Sequence, residues 1–284
     1  MSQLSNQQNS TFDKTHPIKL VVSDLDGTLL NQDHKLTART ISAVNKLVER
    51  GVQFMFATGR HYQDVYLIAR KLGVEMSLIT SNGARVHDSH GQILYENHIP
   101  DELVAQVLAL SEGFEIHRNL YQQDLWLVEE PHEALLAIHD QSGFEYEMTD
   151  FADLELKHID KIYFTADHEV LLPLEKALKE AFHGQLSITF TSPEYLEIMN
   201  LGVSKGRALQ MLLTQNGILP EETVALGDGM NDKEMLQLVG HRVIMENAAD
   251  SVKALFDQAN YAPSNSEEGV AQYIEQVLLP QLEP

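Results

Sequence analysis

Apolar residues follow two different rhythms along this chain. IKLVVSD (18–24) is a β-branched apolar run without polar alternation, the pattern of a strand covered on both faces. Ile41, Val44, Leu47 and Val48 then recur at helical spacing and predict a helix over 37–50, with Gly51 at its stop. VQFMFAT (52–58) predicts a second strand, and Val65, Ile68, Ala69 and Leu72 a second helix over 61–72 that ends at Gly73. MSLIT (76–80) predicts a third strand. Repeated strand–helix–strand units imply a parallel sheet with right-handed crossovers.

The rhythm changes after residue 84. ARVHDSHGQILYE (84–96) reads as two strands around a turn at 88–91. Helices are expected at 101–112, 132–141 and 168–182, and strands at 124–128, 161–165 and 186–191. The first rhythm returns at Ser204: SKGRALQMLLTQNG is a helix with Leu209, Leu212 and Leu213 inward, TVALGD (223–228) a strand, NDKEMLQLVG a helix and HRVIME a short strand. Two further helices are expected at 247–256 and 267–279. The fold class is therefore α/β: a doubly wound, Rossmann-like parallel-sheet core at 18–84 and 199–284, interrupted by an inserted α+β module at 85–198. The first 17 residues are polar and are expected to be a disordered tail.

Composition narrows the chemistry. A length of 284 residues fits one large or two modest domains, and a hydrophobic content of 43% suffices for a core. There is no cysteine, which excludes disulfides, thiolate nucleophiles and cysteine-based zinc sites. No apolar stretch approaches the roughly 20 residues that span a bilayer, and the N-terminus lacks an apolar signal core, so a cytoplasmic enzyme is expected. The formal net charge of −22 argues against nucleic acid and anionic membranes as partners. An anionic substrate would have to be met by local cations, which a bound metal would supply. A monomer is expected, since no long apolar surface helix is evident.

Candidate chemistry gathers at strand ends. In open parallel sheets ligands bind outside the C-terminal edge. Asp24, Thr58 and Asp228 each end an expected core strand, and Asp26 follows two residues after Asp24. Carboxylates crowded at one edge repel unless a cation neutralises them, and hard oxygens point to Mg²⁺. A carboxylate is also a competent nucleophile towards phosphorus, and a second acid nearby can protonate a leaving oxygen and deprotonate water. Plainer roles compete: Asp24 and Asp26 in a turn, Thr58 as a cap of the helix after Gly59, Arg60 on the surface as readily as on a phosphate. Lys205 sits near a helix start, where the dipole disfavours a cation, so a paired lysine is expected. HDSH (87–90) has the look of a metal pair but lies at an expected hairpin tip, where a solvated turn is the better reading.

SDLDGTLL, ATGR (57–60), GVSKG (202–206) and GDGMND (227–232) occur in that order, with SNGA (81–84) before the insertion and EIMNLG (197–202) after it. With these motifs the chain resembles the haloacid dehalogenase-like hydrolase superfamily, and within it the Cof-type, subfamily IIB sugar-phosphate phosphatases, from about residue 18 to 279. The resemblance implies a Mg²⁺-dependent phosphatase of small phosphorylated metabolites: sugar phosphates first, with flavin mononucleotide or pyridoxal phosphate as further candidates. It implies Asp24 as the phosphoaspartyl nucleophile and Asp26 as general acid/base, whose main-chain carbonyl joins Asp24 and Asp228 as metal ligands. Thr58, Lys205 and Asn231 match contacts to the transferring phosphoryl group, the amides of Leu25 and Gly59 donors to it, and Asp232 the acid that braces the metal site and Lys205. The inserted module matches a cap that closes over the site. A phosphomutase or phosphotransferase using the same intermediate, or a non-catalytic phosphometabolite-binding protein, are the alternatives. Two departures stand out: Glu246 where relatives usually carry glycine, and Asn200 where proline is more usual.

Overall fold

The computed structural model describes residues 15–140 and 142–282; the tail expected at 1–17 lies outside them as far as residue 14, and the helix expected over 132–141 loses its last position in the same way. The chain opens with β1 (Leu20–Ser23), α1 (Ala38–Glu49), β2 (Gln53–Ala57), α2 (Tyr62–Leu72) and β3 (Leu78–Thr80), then turns back through β4 (Arg85–His87) and β5 (Ile93–Glu96). An inserted stretch follows: α3 (Asp101–Ser111), β6 (His117–Gln122), β7 (Leu125–Val128), α4 (Glu133–Leu136), β8 (Glu147–Met148), β9 (Ile159–Thr165), α5 (His168–Ala181), β10 (Leu186–Ser192) and β11 (Tyr195–Asn200). The first rhythm resumes with α6 (Lys205–Asn216), β12 (Thr223–Gly227), α7 (Lys233–Leu238), β13 (His241–Met245), α8 (Asp250–Lys253), β14 (Asn260–Ala262) and α9 (Gly269–Tyr273).

The large sheet has the order β14-β13-β12-β1-β2-β3-β4-β5. Its first six strands run parallel, so β1, flanked by β12 and β2, ends among the other parallel strand ends. Every residue of β1 is buried because both faces are covered. Val21 packs into a layer with Val44 and Leu47 of α1 and Val65 and Ile68 of α2. Leu20 and Val22 pack on the other face against Leu209 and Leu212 of α6 and Met235 and Leu236 of α7. This is the doubly wound arrangement that an unalternating apolar run calls for.

The six strands of the insert form a second sheet in the order β10-β11-β9-β6-β7-β8. Helices α3 and α5 cover one face only: Leu120, Ile162, Phe164, Leu196 and Ile198 point into that layer against Val104 and Val107 of α3 and Leu171 and Leu174 of α5. Because side chains alternate across a strand, Tyr121, Lys161, Tyr163, Tyr195 and Glu197 stand on the opposite face.

Several local expectations are corrected. The sequence places 85–96 with the insert, yet β4 pairs antiparallel with β3, and β5 with β4, so both extend the large sheet. A hairpin read alone carries no signal for which sheet will receive it. The helix expected over 247–256 forms only Asp250–Lys253, and that expected over 132–141 is, among the described residues, four residues of helix followed by a tighter turn at Ala137–His139. Strands β6, β8, β11 and β14 are additional to those expected. Polar residues in mid-strand (Asn119, Glu197) blur the period on which strand recognition depends. Among the described residues no helix is long and apolar enough to cross a membrane.

Candidate active site

The parallel strand ends converge as the topology requires. Beyond β1 the chain makes one wide turn, in which the Leu29 amide donates to the Asp24 carbonyl at 3.3 Å and the Leu30 amide to the Leu25 carbonyl at 2.9 Å. Gly27 sits in this turn at φ 74°, and a Cβ there would lie 2.3 Å from Asp228 Oδ2. Glycine is therefore required both for the backbone conformation and for the close approach. Thr28 closes the contact by donating its hydroxyl to Asp228 Oδ1 at 2.7 Å.

Asp24, Asp228 and Asp232 each place a carboxylate oxygen within 4.8 Å of the others. Lys205, fully buried at the first position of α6, donates from Nζ to Asp24 Oδ1 and to Asp232 Oδ1, both at 2.7 Å. Burial alone would strip its proton, but Asp232 and Asp24 outweigh that cost and hold the ammonium above its ordinary range. The other Asp232 oxygen accepts from the amides of Asp228 and Gly229 at 3.0 and 2.9 Å. Asp232 is thus fully committed to bracing Lys205 and the turn.

A single ammonium does not balance this cluster. Burial pushes the Asp24 carboxyl well above its usual range; Lys205 opposes this, and Asp232 and Asp228 add to it. Asp228 is pushed up to about 6 by burial and by Asp232, with Thr28 opposing. Carboxylates buried this close together and short of positive charge could hold a cation.

Asp26 has a different environment. Arg60 grips it in bidentate fashion, Nε to Oδ2 at 2.7 Å and Nη2 to Oδ1 at 2.6 Å, and His34 Nδ1 lies 3.0 Å from Oδ1. Burial would raise this carboxyl, but Arg60 and His34 together hold it well below the usual carboxylate range. Arg60 is neither a surface residue nor exposed: it is 6% accessible and also donates from Nη1 to Asp64 at 3.0 Å. Thr58 does not cap the following helix. Its hydroxyl accepts from the Arg60 amide at 3.1 Å, whereas His61 is the N-cap of α2 and accepts from the Gln63 amide.

A cavity of about 420 Å³ opens over this edge. Of the residues singled out from sequence, Asp24, Asp26, Thr58, Gly59, Asn231 and Asp228 line it. Lys205 and Asp232 lie behind them, and the Leu25 side chain is buried in the core. The roof comes from the face of the second sheet opposite α3 and α5, with Tyr121, Lys161, Tyr163, Tyr195 and Glu197 lining the same cavity. Sequence reasoning missed these roof residues, together with His34 and Asn82. Asn82 had a usable signal, since it lies just past the end of β3, on the edge that carries the other candidates. A larger hollow of about 590 Å³ on the far side of the insert, near Arg118 and Glu129, shares no lining residue with this site.

The two sequence departures are accommodated locally. Glu246 is exposed and its backbone is not left-handed, so glycine is not needed there. Its carbonyl accepts from Lys253 Nζ at 2.7 Å, while neighbouring Asn247 donates to the Gly27 carbonyl. Asn200 donates to Asn97 at 2.6 Å and so ties together the two segments that lead into and out of the insert. Of the HDSH segment only 88–90 form the expected turn, with Asp88 Oδ1 accepting the His90 and Gln92 amides; His87 is instead buried at the end of β4, stacked on Tyr62.

Comparison with known proteins agrees with the geometry. A family model described as haloacid dehalogenase-like hydrolase matches residues 21–274. A protein of Serratia proteamaculans (strain 568) named HMP-PP phosphatase is 37% identical over 258 residues, covering 90% of this chain and 94% of that one. A haloacid dehalogenase-like hydrolase from Bacteroides thetaiotaomicron has a similar crystal structure, with a TM-score of 0.81 at 27% identity, over 92% of this chain and 99% of that one. A solved subclass IIB sugar phosphatase shares the fold at TM-score 0.77 and 24% identity, over 90% and 98% of the two chains. With its crowded carboxylates at the sheet edge and a family match that spans both sheets, this chain belongs to the haloacid dehalogenase-like hydrolases and is a phosphatase.

Proposed function

We propose that this phosphatase hydrolyses small phosphorylated metabolites through an aspartyl-phosphate on Asp24. The observation that carries the reading is the Asp24 carboxylate on the cavity wall, braced from behind by Lys205 at 2.7 Å and flanked by Asp228 and Asp26. An Asp24 oxygen attacks phosphorus, the bond from phosphorus to the leaving oxygen breaks, and Asp26 gives that oxygen a proton. Water then attacks phosphorus while Asp26 takes its proton, and the Asp24 carboxylate departs as inorganic phosphate forms. Both Asp26 oxygens are held by Arg60, which keeps the carboxyl ionised, so Arg60 must release one oxygen and that oxygen must take up a proton from solvent before Asp26 can give it to the leaving group.

The donor set fits Mg²⁺: hard carboxylate oxygens, crowded beyond what Lys205 neutralises. Asp24, Asp228 and the main-chain carbonyl of Asp26 would hold the ion, because the Asp232 oxygens are already committed. When bound, the ion supplies charge to the phosphoryl oxygens and relieves repulsion between the carboxylates. Thr58, Asn231 and the amides of Leu25 and Gly59 orient the phosphoryl group, and Lys205 favours the ionised form of the nucleophile against its burial. The insert acts as a cap that excludes water and selects the substrate. A cavity of about 420 Å³ with three tyrosines in its roof suits a single small metabolite.

The test is phosphate release from sugar phosphates, flavin mononucleotide, pyridoxal phosphate and HMP-PP, with Mg²⁺ and with a chelator. We expect metal-dependent turnover that Asp24→Asn abolishes. Turnover that survives in the Asp24→Asn protein would sink the aspartyl-phosphate reading.

A further inference from the structure

Beyond β3 the backbone takes an expensive path. Ser81, Asn82 and Gly83 follow one another at φ 47°, 54° and 98°. Two successive non-glycine residues in the left-handed region are costly, and such conformations persist where the surroundings over-determine them. Ser81 and Asn82 are 0% and 2% exposed. A Cβ on Gly83 would come within 2.4 Å of the Ser204 carbonyl, so the turn is pressed against the start of α6.

The Asn82 side chain shows what this path positions. Its Nδ2 donates to Glu197 Oε2 at 2.7 Å, and its Oδ1 accepts from Asn231 Nδ2 at 3.0 Å. A Cβ on Gly59 would lie 3.0 Å from the same Oδ1, so Asn82 also packs against the Gly59 backbone. The second Glu197 oxygen accepts from Lys161 Nζ at 2.9 Å, and Lys161 donates again to the Gly59 carbonyl at 3.0 Å. The contacts close on themselves through Gly59, Lys161, Glu197 and Asn82, and Asn231 is held from Asn82. Lys161 and Glu197 belong to β9 and β11 of the insert, and the other three to the large sheet's edge. Burying an ion pair costs more desolvation than an apolar contact of the same size. Adhesion alone would not call for one here.

We propose that Asn82 is a positioning residue through which the insert sets the phosphoryl grip, with Glu197 and Lys161 as the insert's half of the device. When the insert closes, Glu197 fixes the Asn82 amide, which fixes the Asn231 side chain, while Lys161 fixes the Gly59 peptide. When the insert lifts, Asn82 loses the acceptor that orients it and both grips slacken. The proposal rests on the reading that Asn231 and Gly59 hold the transferring phosphoryl group. Its signature is a loss in kcat with little change in KM, because the aligned grip matters most in the transition state.

Asn82→Asp keeps the shape and tolerates the left-handed backbone, but turns an oxygen towards Glu197. Asn82→Gly keeps the backbone and deletes the amide. We expect each to lower kcat about 30-fold, with the thermal midpoint of Asn82→Gly at or above that of the parent protein. In Asn82→Asp with Glu197→Gln the donor and acceptor are exchanged across the same gap, and kcat should recover most of the loss. The proposal is overturned if Asn82→Gly retains the parental kcat, or if the exchange leaves the Asn82→Asp defect unrelieved. Asp24→Asn, run in the same assay, separates the failures: turnover surviving there rejects the aspartyl-phosphate reading, whereas a dead Asp24→Asn beside an unaffected Asn82→Gly rejects only the bridge.

Discussion

The two sheets of this chain meet the substrate cavity in different ways. The parallel strands of the large sheet are covered on both faces by apolar layers, and their chemistry sits at one edge, on turns that follow β1, β2, β3 and β12. The second sheet is covered by α3 and α5 on one face and only in part, by the α4 segment, on the other, and its contribution comes from mid-strand side chains of that second face. In β11, Leu196 and Ile198 are fully buried against the helices, while Tyr195 and Glu197 between them line the cavity. A sheet covered on both sides can offer a ligand only its edge. A sheet covered on one side can offer a whole face, in which neighbouring residues have opposite duties.

The largest effect is expected at the edge of the large sheet. Asp24→Asn should cut phosphate release by at least about a thousandfold while the protein stays folded, since the change removes a charge that burial already disfavours. Steady-state kinetics with a melting curve on the same sample checks both halves.

Leu196→Ala should then cost about 4 kcal/mol of stability, read from urea denaturation, with kinetic constants little altered once the protein is folded. If Leu196→Ala spares stability, the division of faces in β11 is wrong.

The contact between the two sheets has a pH signature. His61 is buried, and its Nε2 lies 2.7 Å from the Gln123 carbonyl of the insert. Burial, helped by Arg85 and opposed by that carbonyl, lowers the ring to about 4 from an ordinary 6.5. The unfolded chain therefore takes up a proton near pH 6.5 that the folded chain refuses until about pH 4. This contribution is complete above pH 6.5 and is lost as pH falls from 6.5 towards 4, by up to about 3 kcal/mol. His61→Asn keeps a side-chain acceptor for the Gln63 amide and removes the titration. Denaturation midpoints across this range should fall less steeply in the variant, and equal slopes would reject the assignment.

The smallest expected effect is at Tyr195, one residue from Leu196 and on the other face. Tyr195 stacks near Tyr163 with ring centroids 6.2 Å apart. Tyr195→Ala should raise KM about tenfold for the preferred substrate, with the melting temperature nearly unchanged. An equal loss of stability at Tyr195 and Leu196 would erase the distinction between the faces.

Much of the edge was legible in the sequence because its residues are tied to local events. A β-branched run that stops in SDLDG, or TVALG followed by DGMND, marks both a strand end and the turn that must follow, and parallel pairing brings such ends together. Asp24, Asp26, Thr58, Gly59, Asn231 and Asp228 accordingly line one cavity, with Lys205 and Asp232 directly behind. The roof was not legible. Tyr121, Lys161, Tyr163, Tyr195 and Glu197 sit in mid-strand, where sequence period shows that two faces differ but not which one a helix will cover. The partnership of Arg60 with Asp26 and Asp64 could not be read either, since an arginine in a turn has many reachable carboxylates.

The sequence by itself thus determined the α/β class, a change of rhythm between two stretches of parallel-sheet pattern and the acids at the sheet edge, because strand period, turn chemistry and helix stops act over a few residues. Tertiary structure alone decided that β4 and β5 join the large sheet, that α3 and α5 cover only one face of the second, and that Asn82 stands between Glu197 and Asn231. These are contacts between segments as much as 149 residues apart, fixed by which surfaces bury each other and not by any local preference of the chain.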